Sequence, residues 1–289
     1  MADDRGDMPI KSLHRSIASV QQRLVLLAPP TSVPAGFDNV DVNPERHAEL
    51  LAEMQRLRGS IYLNDGAVTP QQLSVDGLHQ TPEDDRSWHL LMVDRAGRVD
   101  ACVWYMEHAP SVSVDRLRVK RCPLADEPAW RDTLREAVEQ ELARAQFEGL
   151  GFCEVGGWAV AERNRCTSEG LVLALAGYSL GRMLGGALGM TTATVRHCSS
   201  TILRRLGGSD LKVDGRVIPA YYDHHYQCEM ELLKFDSRQP SPKYASLVEL
   251  LKERLAEVLV IARHEQVIAG PASDFFAPRV ARHSAVLAA

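Results

Sequence analysis

Apolar positions recur along this chain with two periods, near two and near three and a half, and the order of these periods predicts its elements. A short amphipathic helix is expected over Ser12–Leu27, where Ile17, Val20, Leu24 and Leu27 recur, and a Pro-containing segment, Pro29–Pro34, follows it. A second helix starts at Asn43-Pro44. Asn43 can cap, Pro44 suits the first helical position, and Leu50, Leu51, Met54 and Leu57 fall at helical spacing. Ile61–His79 reads as polar and irregular. Trp88–Asp94 and Val99–Glu107 read as strands joined at Arg95-Ala96-Gly97-Arg98, and a third apolar alternation follows at Val112–Val119.

Trp130–Glu148 has the pattern of an amphipathic helix, with Leu134, Val138, Leu142 and Phe147 inward, stopped by Gly149 and Gly151. Phe152–Ala161 is a strand that passes a polar hinge, Arg163–Glu169, into a long, almost uncharged helix over Leu171–Met190. A β-branched strand, Thr191–Val195, then leads into a short helix within Arg196–Gly208, which has Ser199 or Ser200 near its start. Asp214-Gly215 signals a hairpin, Tyr226–Asp236 alternates as a strand with Cys228, Met230 and Leu232 on one side, and a last helix spans Tyr244–Arg263. The expected organisation is an extension over residues 1–41, a domain over 42–236, a C-terminal helix packed on it within 237–269, and a flexible tail over 270–289. No internal repeat is visible.

Composition narrows the class of partner. Of 289 residues, 45% are hydrophobic and 25% charged, ordinary values for a soluble globular protein. A net charge of −5 argues against an electrostatic grip on nucleic acid, and no basic run suggests an anionic membrane surface. The six cysteines are scattered without a C-x-x-C pair, which fits reduced, structural thiols in a cytoplasmic protein. The N-terminus lacks the apolar core of a signal peptide. Leu171–Met190 is long enough to raise a membrane span, but Arg182 at its middle and the strand and hinge before it favour a buried core helix. Gly177, Gly181 and Gly185 form a smooth strip on that helix. It suits close packing on a sheet, or else leaves room for an acyl chain.

The hinge has the makings of a phosphate site. Arg163 and Arg165 supply charge, Thr167 and Ser168 are good capping residues, and Gly170 admits close approach to the backbone. The free N–H groups of a helix's first turn attract anions.

Two motifs make the chain resemble the GNAT-like acyl-CoA N-acyltransferase superfamily over roughly Val42 to Asp236. That family's coenzyme loop, R/Q-x-x-G-x-G/A, is matched by Arg165-Cys166-Thr167-Ser168-Glu169-Gly170, with serine for the first glycine. The family's next strand is followed by a short helix ending Leu-Gly-Phe, and Arg205-Leu206-Gly207-Gly208 ends similarly. Within the superfamily, Pro219-Ala220-Tyr221-Tyr222-Asp223 and Glu229-Met230-Glu231-Leu232-Leu233 look most like N-acyl amino acid synthases and autoinducer-synthase-like proteins. The resemblance implies an α/β (α+β) fold with a mixed, mostly antiparallel central sheet and helices on both faces. It also implies direct transfer of a fatty acyl group from acyl-CoA or acyl carrier protein to a small amine such as an amino acid. The donor is then a co-substrate, and no tightly bound cofactor is needed.

The coenzyme-binding residues implied are Trp158, Val160, Arg163, Arg165, Thr167, Ser168, Glu169, Gly170, His197 and Ser199. For a general base, Glu154 is the first candidate, because partial burial among Phe152, Val155 and Trp158 would raise its pKa; otherwise it is an ordinary strand-end carboxylate. Glu162 comes second, beside Arg163. Many family members protonate the departing thiolate with a tyrosine where this chain has Leu203, so Tyr221 and Tyr222 are the candidate acids, with packing as their alternative role. His197 and Cys198 start the helix at the cleft, but no Cys–His–acid order supports a covalent mechanism. Adjacent His224 and His225, with Asp223 and Glu229, lack the spacing of a metal site. Two alternatives to a long-chain enzyme stay open: a non-catalytic module that binds acyl thioesters, and an acetyl-CoA-dependent N-acetyltransferase.

Overall fold

Leu24–Leu27 are four consecutive apolar residues, and all four are buried. Such a run fits a strand covered on both faces, and the segment forms strand β1 rather than the end of a helix. The computed structural model describes Leu13, Ile17, Ala18 and residues 23–31, 33–165 and 167–264. The rest of the expected N-terminal helix, Cys166 and the tail beyond 264 therefore lie outside the described residues. Leu13 and Ile17 are buried in the same core as β1.

After β2 (Val40–Val42), helix α1 runs over Pro44–Asn64, where the side chain of Asn43 accepts a hydrogen bond from the Arg46 N–H. It continues through Ile61, which the sequence assigns to irregular chain. Strands β3 (Trp88–Val93) and β4 (Val99–His108) form the expected hairpin, with the Asp94 carboxylate accepting from the N–H groups of Ala96 and Arg98.

The expected third strand does not form. Val112–Val119 falls largely within 3-10 turns, Val114–Arg116 and Arg118–Arg121, followed by a third, Pro123–Ala125. The reason is spatial: both edges of β4 are already occupied, by β3 and β5, while Val114, Leu117 and Val119 are buried in the core beneath α2 (Arg131–Phe147). On α2, Leu134, Val138 and Leu142 face inward as expected, but Phe147 is 93% exposed at its end.

Strand β5 (Gly151–Val160), helix α3 (Glu169–Met183), strand β6 (Ala187–Thr194) and helix α4 (Ser199–Leu206) follow. The long helix thus stops seven residues earlier than its hydropathy suggests. Gly185 and Gly186, at φ +98° and +92°, turn the chain back and release Ala187–Met190 to the sheet. Beyond β7 (Ser209–Asp210), β8 (Lys212–Val213) and β9 (Arg216–Val217) form a separate hairpin around Asp214-Gly215, both at positive φ. The chain ends with β10 (Tyr221–Asp223), β11 (Cys228–Asp236), α5 (Ala245–Glu257) and β12 (Leu259–Ala262).

The sheet has ten strands in the order β10-β11-β6-β5-β4-β3-β1-β12-β2, with β7 paired to β11. Only β5/β6, β1/β12 and β12/β2 pair in parallel, so the sheet is mixed and mostly antiparallel, as expected. Helices α3 and α5 cover one face with the largest core cluster, and α1 and α2 cover the other with two smaller ones. Strand β12 was not foreseen: the C-terminal segment contributes to the sheet as well as carrying a helix. No helix among the described residues is long and apolar enough to cross a membrane.

Candidate active site

The site is created by a break in the sheet. Strands β5 and β6 pair from Gly151↔Ala187 to Val155↔Thr191, and beyond that point they part. A bulge lies just past the break: Trp104 pairs with Gly156 but Cys102 with Ala159, so β5 carries an extra residue there. Gly157, at φ +64°, makes this possible, since a Cβ on it would lie 2.4 Å from Trp104 Cδ1. The result is a cavity of about 1030 Å³, at the large end of the range for small-molecule sites.

The cavity draws its walls from both faces of the sheet. Leu171, Ala174, Gly177 and Tyr178 of α3, Leu203 of α4 and Phe235 of β11 make an apolar wall on the α3/α5 side. Arg118, Thr192, Tyr226 and Tyr62 line it from the opposite side. A polar rim is formed by Asn164, Arg165, Thr167, Arg196, His197 and Arg205. Asp65, just past the end of α1, gathers two of these: Arg165 Nη2 lies 3.3 Å from Oδ1, and His197 Nε2 3.5 Å from Oδ2. Arg196 and Arg205 make no ion pair among the described residues, which leaves the rim positive on balance.

Seven of the ten expected coenzyme residues line this cavity: Trp158, Val160, Arg165, Thr167, Gly170, His197 and Ser199. Gly170 packs closely, because a Cβ there would lie 3.2 Å from both Trp158 and Val160, whose side chains would have to give by a few tenths of an ångström. Thr167 takes a capping role: its Oγ1 accepts from the Glu169 N–H at 3.3 Å. The other three expected coenzyme residues are turned elsewhere. Arg163 pairs with Asp100 at the start of β4, a stronger attraction than solvent offers at the hinge. Ser168 occupies the N-cap position of α3 with helical backbone angles. Glu169 is buried and held by Arg23.

None of the expected proton-transfer residues lines the cavity. Tyr221 is buried in the core under α2, where burial raises its hydroxyl well above the usual tyrosine pKa. Tyr222 is 49% exposed and donates to Gln227. Glu154 is buried, but its carboxylate is occupied. Oε2 accepts from the Arg118 N–H at 2.8 Å and lies 3.0 Å from His108 Nε2, and Oε1 accepts from the Val119 N–H at 3.0 Å.

The tyrosine that does reach the cavity with a polar partner is Tyr226, whose hydroxyl accepts from Arg118 Nη2 at 2.8 Å. Sequence reasoning missed both residues. Arg118 falls in Val112–Val119, which the sequence assigns to a third apolar alternation, and Tyr226 reads as the first residue of a strand.

No protein-family model matches the sequence, and no curated protein matches it. Solved structures do. The CoA-dependent acyl-homoserine lactone synthase BjaI, solved with SAM and isopentyl-CoA, superposes with a TM-score of 0.52 at 13% identity, over 85% of this chain and 95% of that one. A second CoA-dependent acyl-homoserine lactone synthase, MesI, gives 0.47 at 14% identity, over 80% and 95%. FeeM, an N-acyl amino acid synthase from uncultured soil microbes, gives 0.43 at 12% identity, over 69% and 89%. The match to BjaI shows that the two chains share a fold, the GNAT-like one that the two motifs imply.

Proposed function

We propose that the protein is an N-acyltransferase that moves a long acyl chain from an acyl thioester directly to a small amine such as an amino acid. The observation that carries this reading is the cavity at the β5/β6 break, which joins an apolar wall, a cationic rim and a polar pocket on the opposite face. The donor's phosphates would lie at the rim against Arg165, Arg196 and Arg205, next to the first turn of α3. The acyl chain would run along the wall containing Ala174, Gly177 and Leu203. Past Val155 the edge of β5 has no strand beside it, so its backbone can polarise the thioester carbonyl.

The amine, in its neutral form, then attacks the carbonyl carbon from the Arg118 side. A C–N bond forms, the C–S bond breaks, the nitrogen releases one proton to solvent and the thiolate takes one up. Tyr226 accepts a hydrogen bond from Arg118, which leaves its O–H free to donate, so we assign it the thiolate's proton, which solvent then restores. Coenzyme A or a carrier protein can supply the thioester; the presence of isopentyl-CoA in the BjaI structure favours coenzyme A.

The test follows free thiol while purified protein is incubated with panels of acyl-CoA and acyl-carrier-protein donors and with amino acids. No thiol release from any donor by folded protein would sink the enzymatic reading. Leu203 at the position of the usual tyrosine, and the fully occupied Glu154, favour a second reading: a module that binds acyl thioesters without turnover. Calorimetric binding of acyl-CoA in the absence of thiol release would support it. A strong preference for acetyl-CoA would instead point to an N-acetyltransferase, which the size of the apolar wall disfavours.

A further inference from the structure

Arg118 is held in place from two directions. Its backbone belongs to a 3-10 turn pinned by buried Leu117 and Val119, and the Glu154 carboxylate accepts from the N–H groups of both Arg118 and Val119. Its side chain crosses to the far side of the β5/β6 break, where Nη1 donates to Thr192 Oγ1 at 3.2 Å and Nη2 to the Tyr226 hydroxyl at 2.8 Å. The rings of Trp104 and Tyr226 flank the guanidinium at 5.8 and 6.0 Å. A guanidinium fixed this way presents its remaining N–H groups as a fork suited to a planar anion.

That charge makes no direct ion pair among the described residues, and the acids Glu83 and Glu154 act on it only at longer range. The direct contacts of both acids go to other groups: Glu83 pairs with Arg121, and both oxygens of Glu154 accept from N–H donors. A partly buried cation with no direct ion pair gains from a contacting anion, and here it lines a cavity, so a ligand can supply one. The donor's phosphates do not fit the role. The rim arginines that suit them belong to the hinge before α3, the turn after β6 and α4, whereas Arg118 sits on the α2 side with Glu154. The group that approaches from this side is the acceptor.

Resting on the acyl-transfer reading, we propose that Arg118 binds the carboxylate of the acceptor, which makes the acceptor an α-amino acid, and that Glu154 is the residue that positions Arg118. An amine lacking the carboxylate leaves the guanidinium unpaired and is discriminated against.

The test compares an amino acid with its primary amide as acceptors, and the matching N-acyl amino acid with its N-acyl amide in calorimetry, which needs no turnover. Wild type is expected to favour the carboxylate member of each pair by at least about tenfold, the scale of a hydrogen bond to a charged group. Arg118→Gln should erase the preference by raising the acceptor's KM for the carboxylate member of the pair, with acyl-CoA affinity kept, and Arg118→Lys should restore part of it. If Arg118→Gln does not fold, Thr192→Val removes one of the bonds that aim the guanidinium and is expected to weaken the same preference. Wild type that treats each pair alike, including binding neither, overturns the assignment. So does an Arg118→Gln protein that still discriminates. Arg118-dependent binding of the N-acyl amino acid with no thiol release would retain this site while refuting the transfer reaction.

Discussion

A carboxylate can take protons from a substrate only if its oxygens are available, and those of Glu154 hold two backbone N–H groups and face a histidine. Glu154→Gln puts an amide NH₂ against one of those N–H donors and is expected to cost about 1–3 kcal/mol of stability, read as a lower urea midpoint. It should also raise the acceptor's KM, because the Arg118 turn loosens, and leave the shape of the kcat–pH profile unchanged. A drop in kcat of about 10²–10⁴-fold with loss of the profile's acidic limb would instead mark Glu154 as the base. From sequence, Glu154 could be picked as buried on a strand, but not matched to its partners, which lie some 35 residues upstream in a segment that reads as a strand. Arg118 was invisible for the same reason. One basic residue in a run of them is singled out only by how the sheet opens beside it, at Val155 and Thr191.

Along α3, the three glycines of one apparent strip do three different things. A Cβ on Gly177 would meet nothing within 4 Å and would project into cavity space, a Cβ on Gly181 would lie 2.9 Å from that of Ser237, and Gly185 sits at positive φ in the turn that ends the helix. Gly177→Leu is therefore expected to leave the fold intact while lowering kcat/KM for long-chain donors at least about tenfold relative to short ones. Gly181→Ala should leave chain-length preference alone and lower stability by about 1–3 kcal/mol, since backbone or Ser237 must shift. A chain-length profile and a denaturation curve for each variant separate the two effects. The strip itself was legible in the sequence, and so were both alternatives for its use. What periodicity does not contain is which neighbour each position meets, so packing and open space look the same. The boundary error, Leu171–Met190 for Glu169–Met183, has a related cause: an apolar run covers both the helix and the buried strand after it, and Gly185-Gly186 is the only punctuation.

At the scale of the molecule, three histidines are buried without charge. His47, His79 and His89 each fall to about 4, chiefly through burial; the nearby charges of Arg263 on His47 and of Arg58 on the other two push the same way. A folded pKa below the unfolded value means that the unfolded chain binds more protons between about 4 and 6.5. Stability is then fully present above 6.5 and is lost as pH falls through that window, by about 1.4 kcal/mol per pH unit for each histidine. Urea midpoints measured from pH 7.5 to 4.5 are expected to hold steady above 6.5 and fall steeply below it; a flat profile down to pH 5 would contradict the burial of these rings. The fold class was legible from the order of elements and the two motifs, the coenzyme loop and the end of the short helix, since each rests on local spacing. The edge of the sheet beyond β3 was not, because β1 is too short for a clear period and β12 follows a helix with no turn residue to announce it.

That edge also bears on how the chain is made. Strand β12 lies in parallel between β1 and β2, and β2 has no other partner strand among the described residues. During synthesis both N-terminal strands leave the ribosome early, yet the strand that joins them is among the last described residues to appear. Until it arrives, the outer edge of β1 is an unpaired row of backbone donors and acceptors, open to pairing with other chains. Closure of the sheet must therefore wait on contacts between distant parts of the chain, which makes that folding step slow. A nascent chain that stalls after α5 would carry every residue of the described cavity and still expose an aggregation-prone edge.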